Sequence, residues 1–196
     1  MSSLHPHNRS VLRRMAGGLV VGAVLLGLLL GCGTDSANDD TSNRTEAGDP
    51  VVADETSMPP WPAPADVPAR VASAGLDLGP MGMAEHYHPR LRIIIDGEDV
   101  PIPANIGVDP STGAMSAVHT HETDGTIHIE ADTEGEAFTL GQLFTQWGVA
   151  LSRTQIGGVT ASDGQPVNVT SNGNPVAGAP SDLRLEPDQM IVLRVP

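Results

Sequence analysis

Leu91-Arg92-Ile93-Ile94-Ile95-Asp96-Gly97-Glu98-Asp99-Val100-Pro101-Ile102 is the stretch on which the fold turns. The β-branched run through Ile95 has the composition of a strand. Asp96-Gly97 supplies the positive φ angles of a tight two-residue turn, and Val100-Pro101-Ile102 returns as the partner strand. Pro101 and Pro103 cannot donate to a β-ladder, so the returning strand is expected at a sheet edge. Working outward, Ala117–His121 and Thr126–Ala131 flank Glu122-Thr123-Asp124-Gly125, a second hairpin. Thr139 with Gln142 three residues on forms a capping box. Leu140, Leu143, Phe144 and Trp147 then make one apolar helical face, and Gly148 ends it as a C′ residue. A helix this short needs tertiary packing to persist, so it is expected to lie across a sheet. Further strands are expected at 155–160, 167–170 and 190–195, separated by Asp163-Gly164 and Asn172-Gly173 turns. Hairpin, hairpin, helix and strands in that order predict an α+β domain: a small mixed or antiparallel sheet with one short helix packed on it. The tail from Val167 through Asn172-Gly173-Asn174 to Val195 resembles the end of a β-grasp domain.

The histidines fall inside this frame. Of seven, five lie beyond the N-terminal segment, as His86-Tyr87-His88 and as His119-Thr120-His121 with His128. Residues i and i+2 of a strand point to one face, so His119 and His121 project together. With a four-residue 122–125 loop, His119 sits opposite His128. With only Asp124-Gly125 at the turn centre, His121 does. Either loop puts three imidazoles on one face, with opposing β-carbons ~5 Å apart, close enough to share one metal ion. A three-residue loop with a bulge would send His128 to the other face. His86 and His88 are a second pair, either completing ligands or a second site. Met81, Met83 and Met115 lie nearby in sequence, and thioether beside imidazole favours copper, whereas imidazole alone suits Zn(II), Cu(II) or Ni(II). The competing expectation is that these are ordinary histidines paired with Glu85, Glu122 or Glu130. Glu122, Asp124 and Glu130 would raise the imidazole pKa values and attract a divalent cation.

The N-terminus carries a different message. Arg9, Arg13 and Arg14 precede the apolar run 15–31, which ends at Cys32, the single cysteine of the chain. A basic segment followed by an apolar one is an export signal. Leu29-Leu30-Gly31-Cys32 resembles the lipobox of bacterial lipoproteins, and that resemblance implies cleavage before Cys32 and a diacylglyceryl thioether on its sulfur. Two or more acyl chains anchor stably where one does not. Residues 1–31 are thus expected as a signal peptide and 32–83 as a lipidated cysteine with a disordered tether, first acidic and then Pro-rich. Residues 84–196 are expected as one globular domain. The basic cluster stays in the cytoplasm, so the rest is expected outside it.

Composition narrows the functions. All ten basic residues are Arg, 24 residues are acidic, and from residue 33 onward seven Arg face all 24 acids. Such a surface repels phosphate backbones, which excludes nucleic acid as a partner. The lone cysteine allows no internal disulfide. No H-E-x-x-H or G-x-S-x-G motif occurs, and the cysteine is taken by lipid, so no nucleophile is evident and catalysis is the weakest option. Leu91–Asp96-Gly97, Val100–Gly107, His119-Thr120-His121, Gly125-Thr126-Ile127-His128-Ile129-Glu130 and Leu140–Gly148 together resemble a family of uncharacterised exported proteins and lipoproteins of bacteria and archaea, over roughly residues 86–150. That resemblance implies export and one domain, and no mechanism. The chain is therefore expected to be a lipid-anchored, extracytoplasmic metal-binding protein, a carrier or sensor of copper or zinc. Its ligands would be His119, His121 and His128, with His86 and His88 beside them, and its membrane contact would run through the lipid on Cys32. The alternative is a cell-envelope interaction module without metal, using a sheet edge or the tether to hold a protein partner.

Overall fold

The computed structural model describes residues 56–196. The expected signal peptide, Cys32 and the acidic first part of the tether lie outside them. The larger sheet is built from β2 (Arg90–Ile95), β3 (Glu98–Val100), β8 (Asn168–Ser171), β9 (Asn174–Pro175) and β10 (Met190–Val195), in the order β3-β2-β10-β8-β9. Asp96 (φ 51°) and Gly97 (φ 86°) make the tight turn between β2 and β3, and Asn172 (φ 50°) with Gly173 (φ 79°) makes the equivalent turn between β8 and β9. β3 is an edge strand as expected, but it pairs over Glu98–Val100 rather than 100–102 and stops before Pro101, which cannot donate to the ladder. At the centre, β10 runs parallel to β2 and antiparallel to β8. Between the two hairpins comes α2 (Leu140–Trp147). A first hairpin, a helix, a second hairpin and a last strand parallel to the first is a β-grasp arrangement, within the α+β class.

Helix α2 forms for the local reasons its sequence contains. The Thr139 hydroxyl accepts from Gln142 N, the Gln142 side chain accepts from Thr139 N, and Gly148 closes the helix at φ 78° in the left-handed region. Leu140, Leu143, Phe144 and Trp147 are buried in one core with Leu91, Ile93, Ile191, Leu193 and Val195 of the large sheet.

Inserted between β3 and α2 is most of a second sheet, three-stranded in the order β1-β5-β4: β1 (Glu85–Tyr87), β4 (Val118–His119) and β5 (His128–Ala131). Its inner face (Val118, Ile127, Ile129, Ala131) joins the same core. The segment at 155–160, expected as one strand, is instead β6 (Gln155–Ile156) and β7 (Val159–Thr160) folded back at Gly157-Gly158. A side chain at Gly157 would lie 2.4 Å from the Trp61 ring, and Gly157 has φ 56°, so only glycine fits there.

That contact corrects the expected boundary of the folded unit. Residues 56–83 were expected within a disordered tether. They instead contain α1 (Val67–Ser73), capped by the Asp66 carboxylate on Ala69 N, with Val67 and Val71 buried. Trp61 is 2% exposed. Its indole donates to Ser57 O, it meets Trp147 edge to face at 5.7 Å, and the Trp147 indole donates to Pro62 O. A stretch without apolar periodicity is held here by one large aromatic and two indole N–H groups, each given a backbone acceptor. Among the described residues no helix is long and apolar enough to cross a membrane.

Two outcomes are expected. Limited proteolysis leaves a core that begins before Trp61, and not between residues 80 and 85, as mass spectrometry of the trimmed product would show. Trp61→Ala costs about 3–5 kcal/mol of stability in urea unfolding, the usual range for emptying a buried tryptophan site.

Candidate metal centre

Strand β5 alternates cleanly. Ile127, Ile129 and Ala131 face the core, which leaves Thr126, His128 and Glu130 on the outer face. Its neighbours obey the same parity. β4 pairs His119 with His128, the register of the four-residue loop, and places Ala117 beside Glu130. β1 pairs His86 with Glu130, and the same register carried on places His88 beside His128, with ring centroids 4.6 Å apart. One face of a three-stranded sheet therefore carries all five histidines named from the sequence, with Glu130 among them. β1, with His88 just past its end, delivers the second pair, although the sequence pattern there shows no strand.

The ring nitrogens converge in two triads that share His128: His119, His121 and His128, and His86, His88 and His128, with the ligand atoms of each triad within 4.8 Å of one another. Within the pairs, His119 Nε2 lies 3.1 Å from His121 Nε2, and His86 Nε2 lies 3.0 Å from His88 Nε2. Such separations match neighbouring ligands of one ion bound at ~2.0–2.1 Å.

Hydrogen bonds outside the cluster set which electron pairs face inward. His119 Nδ1 donates to Ser116 O at 2.8 Å, because a carbonyl can only accept, so Nε2 carries the free lone pair. His128 Nε2 donates to the Glu122 carboxylate at 3.0 Å, which leaves the Nδ1 lone pair directed elsewhere. This is the way metal-ligating imidazoles are held, with the far ring nitrogen tied to a carbonyl or carboxylate. The strand bearing His119 is braced from α2, where the buried Gln146 amide donates to Val118 O at 3.0 Å. Gly107 permits that approach, since a Cβ there would meet Gln146 Oε1 at 2.6 Å and Val118 O at 2.7 Å.

Glu130 is expected from the sequence as a carboxylate that pairs with histidine and attracts a divalent cation. It is 6% exposed, and its Oε2 has no hydrogen-bond partner. Its ion-pair contacts among the described residues are all imidazoles: Oε1 to His86 Nε2 at 3.4 Å and His128 Nδ1 at 3.9 Å, and Oε2 to His119 Nε2 at 3.8 Å. Its position two residues from His128, on the same face, was the available signal. Asp124 belongs elsewhere, paired with Arg90. Met81 and Met83 are exposed, and Met115 pairs through its backbone with Gly79 and Val108.

Neighbouring carboxylates were expected to raise the imidazole pKa values. At His119 the opposite holds: burial lowers it to about 4, outweighing the hydrogen bond to Ser116 and the nearby Glu122. Burial, with repulsion from His128 and His86, lowers His88 as well. The cluster thus contains imidazoles that stay neutral, the form a metal needs.

The shift at His119 also sets a pH dependence of stability. Its folded-state pKa lies below the ordinary value of ~6.5, so between about pH 6.5 and 4 the unfolded chain binds a proton that the native one refuses. Metal-free protein should lose stability as pH falls through that window, with the full contribution present above it. His119→Gln should flatten that part of the profile of thermal midpoint against pH, and an unchanged slope would show that burial of His119 is not the source. No protein-family model, no curated protein and no solved structure is significantly similar to the chain, so the chemistry of this cluster is the ground on which a function can be argued.

Proposed function

We propose that this is a lipid-anchored, extracytoplasmic metal-binding protein, a carrier or sensor of copper or zinc, whose ion sits on His119, His121 and His128. One observation carries the reading. His119 is buried with its Nδ1–H committed to a backbone carbonyl, and its Nε2 lone pair is aimed at the nitrogen of His121. A buried, neutral imidazole fixed from behind and facing a second one is a pre-oriented pair of ligands for a cation that takes both lone pairs. The donors are nitrogen with some oxygen, which suits Zn(II), Cu(II) or Ni(II), and the exposure of Met81 and Met83 offers nothing specific to Cu(I). The competing role as an envelope interaction module loses one of its handles, since Trp61 of the Pro-rich segment is packed inside the domain. The anchor rests on the Leu29-Leu30-Gly31-Cys32 pattern behind its basic and apolar segments.

Calorimetric titration with Zn(II) or Cu(II) at about pH 7.5 should show tight binding that weakens toward pH 5 as protons compete for the ring nitrogens. His119→Ala and His128→Ala should each weaken it by at least the ~10–100-fold typical of a lost supporting partner, and the double variant by less than the product. Binding no tighter than that of a variant lacking all five histidines would leave the interaction module as the better reading. Independently, Cys32→Ser should abolish lipid labelling and precursor cleavage, and unchanged processing would remove the anchor.

A further inference from the structure

The sheet face carries more donors than one ion uses, and their arrangement has two halves. His119 and His121 bring their Nε2 atoms to 3.1 Å on the β4 side, and His86 and His88 bring theirs to 3.0 Å on the β1 side. Each is a ready pair of adjacent ligands. Between them, on the central strand, stands a buried carboxylate whose two oxygens face opposite ways. Glu130 Oε1 is 3.4 Å from His86 Nε2, and Oε2 is 3.8 Å from His119 Nε2. His128, also central, belongs to both triads.

Within each pair the two Nε2 atoms lie at hydrogen-bond distance, one ring donating to the other, and an ion bound there would take the place of the shared proton. His128 donates its Nε2–H to Glu122 and sets its Nδ1 3.9 Å from Glu130 Oε1. His119 Nε2 lies 3.8 Å from Glu130 Oε2, which accepts no hydrogen bond. A nearly inaccessible carboxylate, one oxygen of which accepts no hydrogen bond, stands between imidazole nitrogens on both sides, where a cation on each side would satisfy it. Bridging oxygens of one carboxylate hold two ions ~3.5–4 Å apart in two-metal sites. The cavity of about 270 Å³ beyond Glu130 is lined by Asp77, Asp132 and Glu136, and Glu122 stands at His128, so the surroundings are negative enough to receive two dications.

Resting on the metal-binding reading above, we infer that the site is dinuclear: one divalent first-row ion on His119 and His121, a second on His86 and His88, bridged by the Glu130 carboxylate with His128 between them. The exposed H-x-H pair is then a site in its own right, and Glu130 is the residue that couples the two.

The full chain, purified in detergent and stripped of metal, would be loaded with Cu(II) alone, with metal per chain measured by elemental analysis and coupling by electron paramagnetic resonance. The expected result is two ions per chain with a spin-coupled signal. His86→Ala/His88→Ala alters only exposed side chains and should leave one ion with an uncoupled signal. Glu130→Gln keeps the shape of the side chain and should abolish the coupling and weaken both ions at least tenfold, with circular dichroism checking that the fold is kept. One ion per chain in the unaltered protein, lost in His119→Ala, would overturn the dinuclear site and leave the metal-binding function standing. Two ions with independent signals, insensitive to Glu130→Gln, would overturn the bridge. Failure to bind any ion would overturn the functional reading itself.

Discussion

A β-strand must send alternate side chains to opposite faces, and the segment from Thr126 to Ala131 meets that constraint with complete segregation. Ile127, Ile129 and Ala131 are locked into the core, so the strand cannot slip by one residue without exposing all three and burying His128 and Glu130 among aliphatics. Everything at the candidate site follows from that lock. β4 and β1 pair with β5 in antiparallel registers whose parity matches, and five imidazoles and a carboxylate gather on one surface although they come from three separate places in the chain.

The cluster is stabilised from behind rather than from within. Its members are all polar, and only the His119–His121 and His86–His88 contacts join imidazole to imidazole at hydrogen-bond distance. Ser116 O holds the ring of His119, Glu122 holds that of His128, and Gln146 of α2 holds the carbonyl of Val118. The helix that seals the core thereby braces the strand that carries the deepest histidine. A buried polar arrangement supported in this manner is rigid before any ligand arrives, which reduces the ordering cost of binding.

How much of this the sequence discloses depends on the range of the signal. The Asp96-Gly97 and Asn172-Gly173 turns, the Thr139–Gln142 capping box and the period-two pattern of 126–131 are local, and each is legible from a few neighbouring residues. So was the shared face of His119, His121 and His128, since parity alone decides it once the loop length is even. What local reading missed was long-range. Trp61 sits among prolines with no periodic partner, and its burial depends on a glycine pair almost a hundred residues later in the chain. The pairing of β1 with β5, which delivers His86 and His88 to the site, crosses the whole β2–β3 hairpin and β4. Glu130 was visible as an acid of the correct parity, but its seclusion from solvent depends on how the sheet packs, which no residue count supplies. The lowered pKa of His119 has the same origin, because burial is a property of the assembled layers.

The central strand of the larger sheet is also the latest in the chain. β10 stands between β2 and β8, and neither of those strands has the other as a neighbour. During synthesis the two halves of this sheet therefore wait, unjoined, until the chain has been made through Val195. Nearly a hundred residues separate β2 from its parallel partner, a closure that favours slow, late folding. Were the chain exported unfolded, as the signal peptide proposed above would require, such lateness would keep it from locking into its finished form before it had been threaded through.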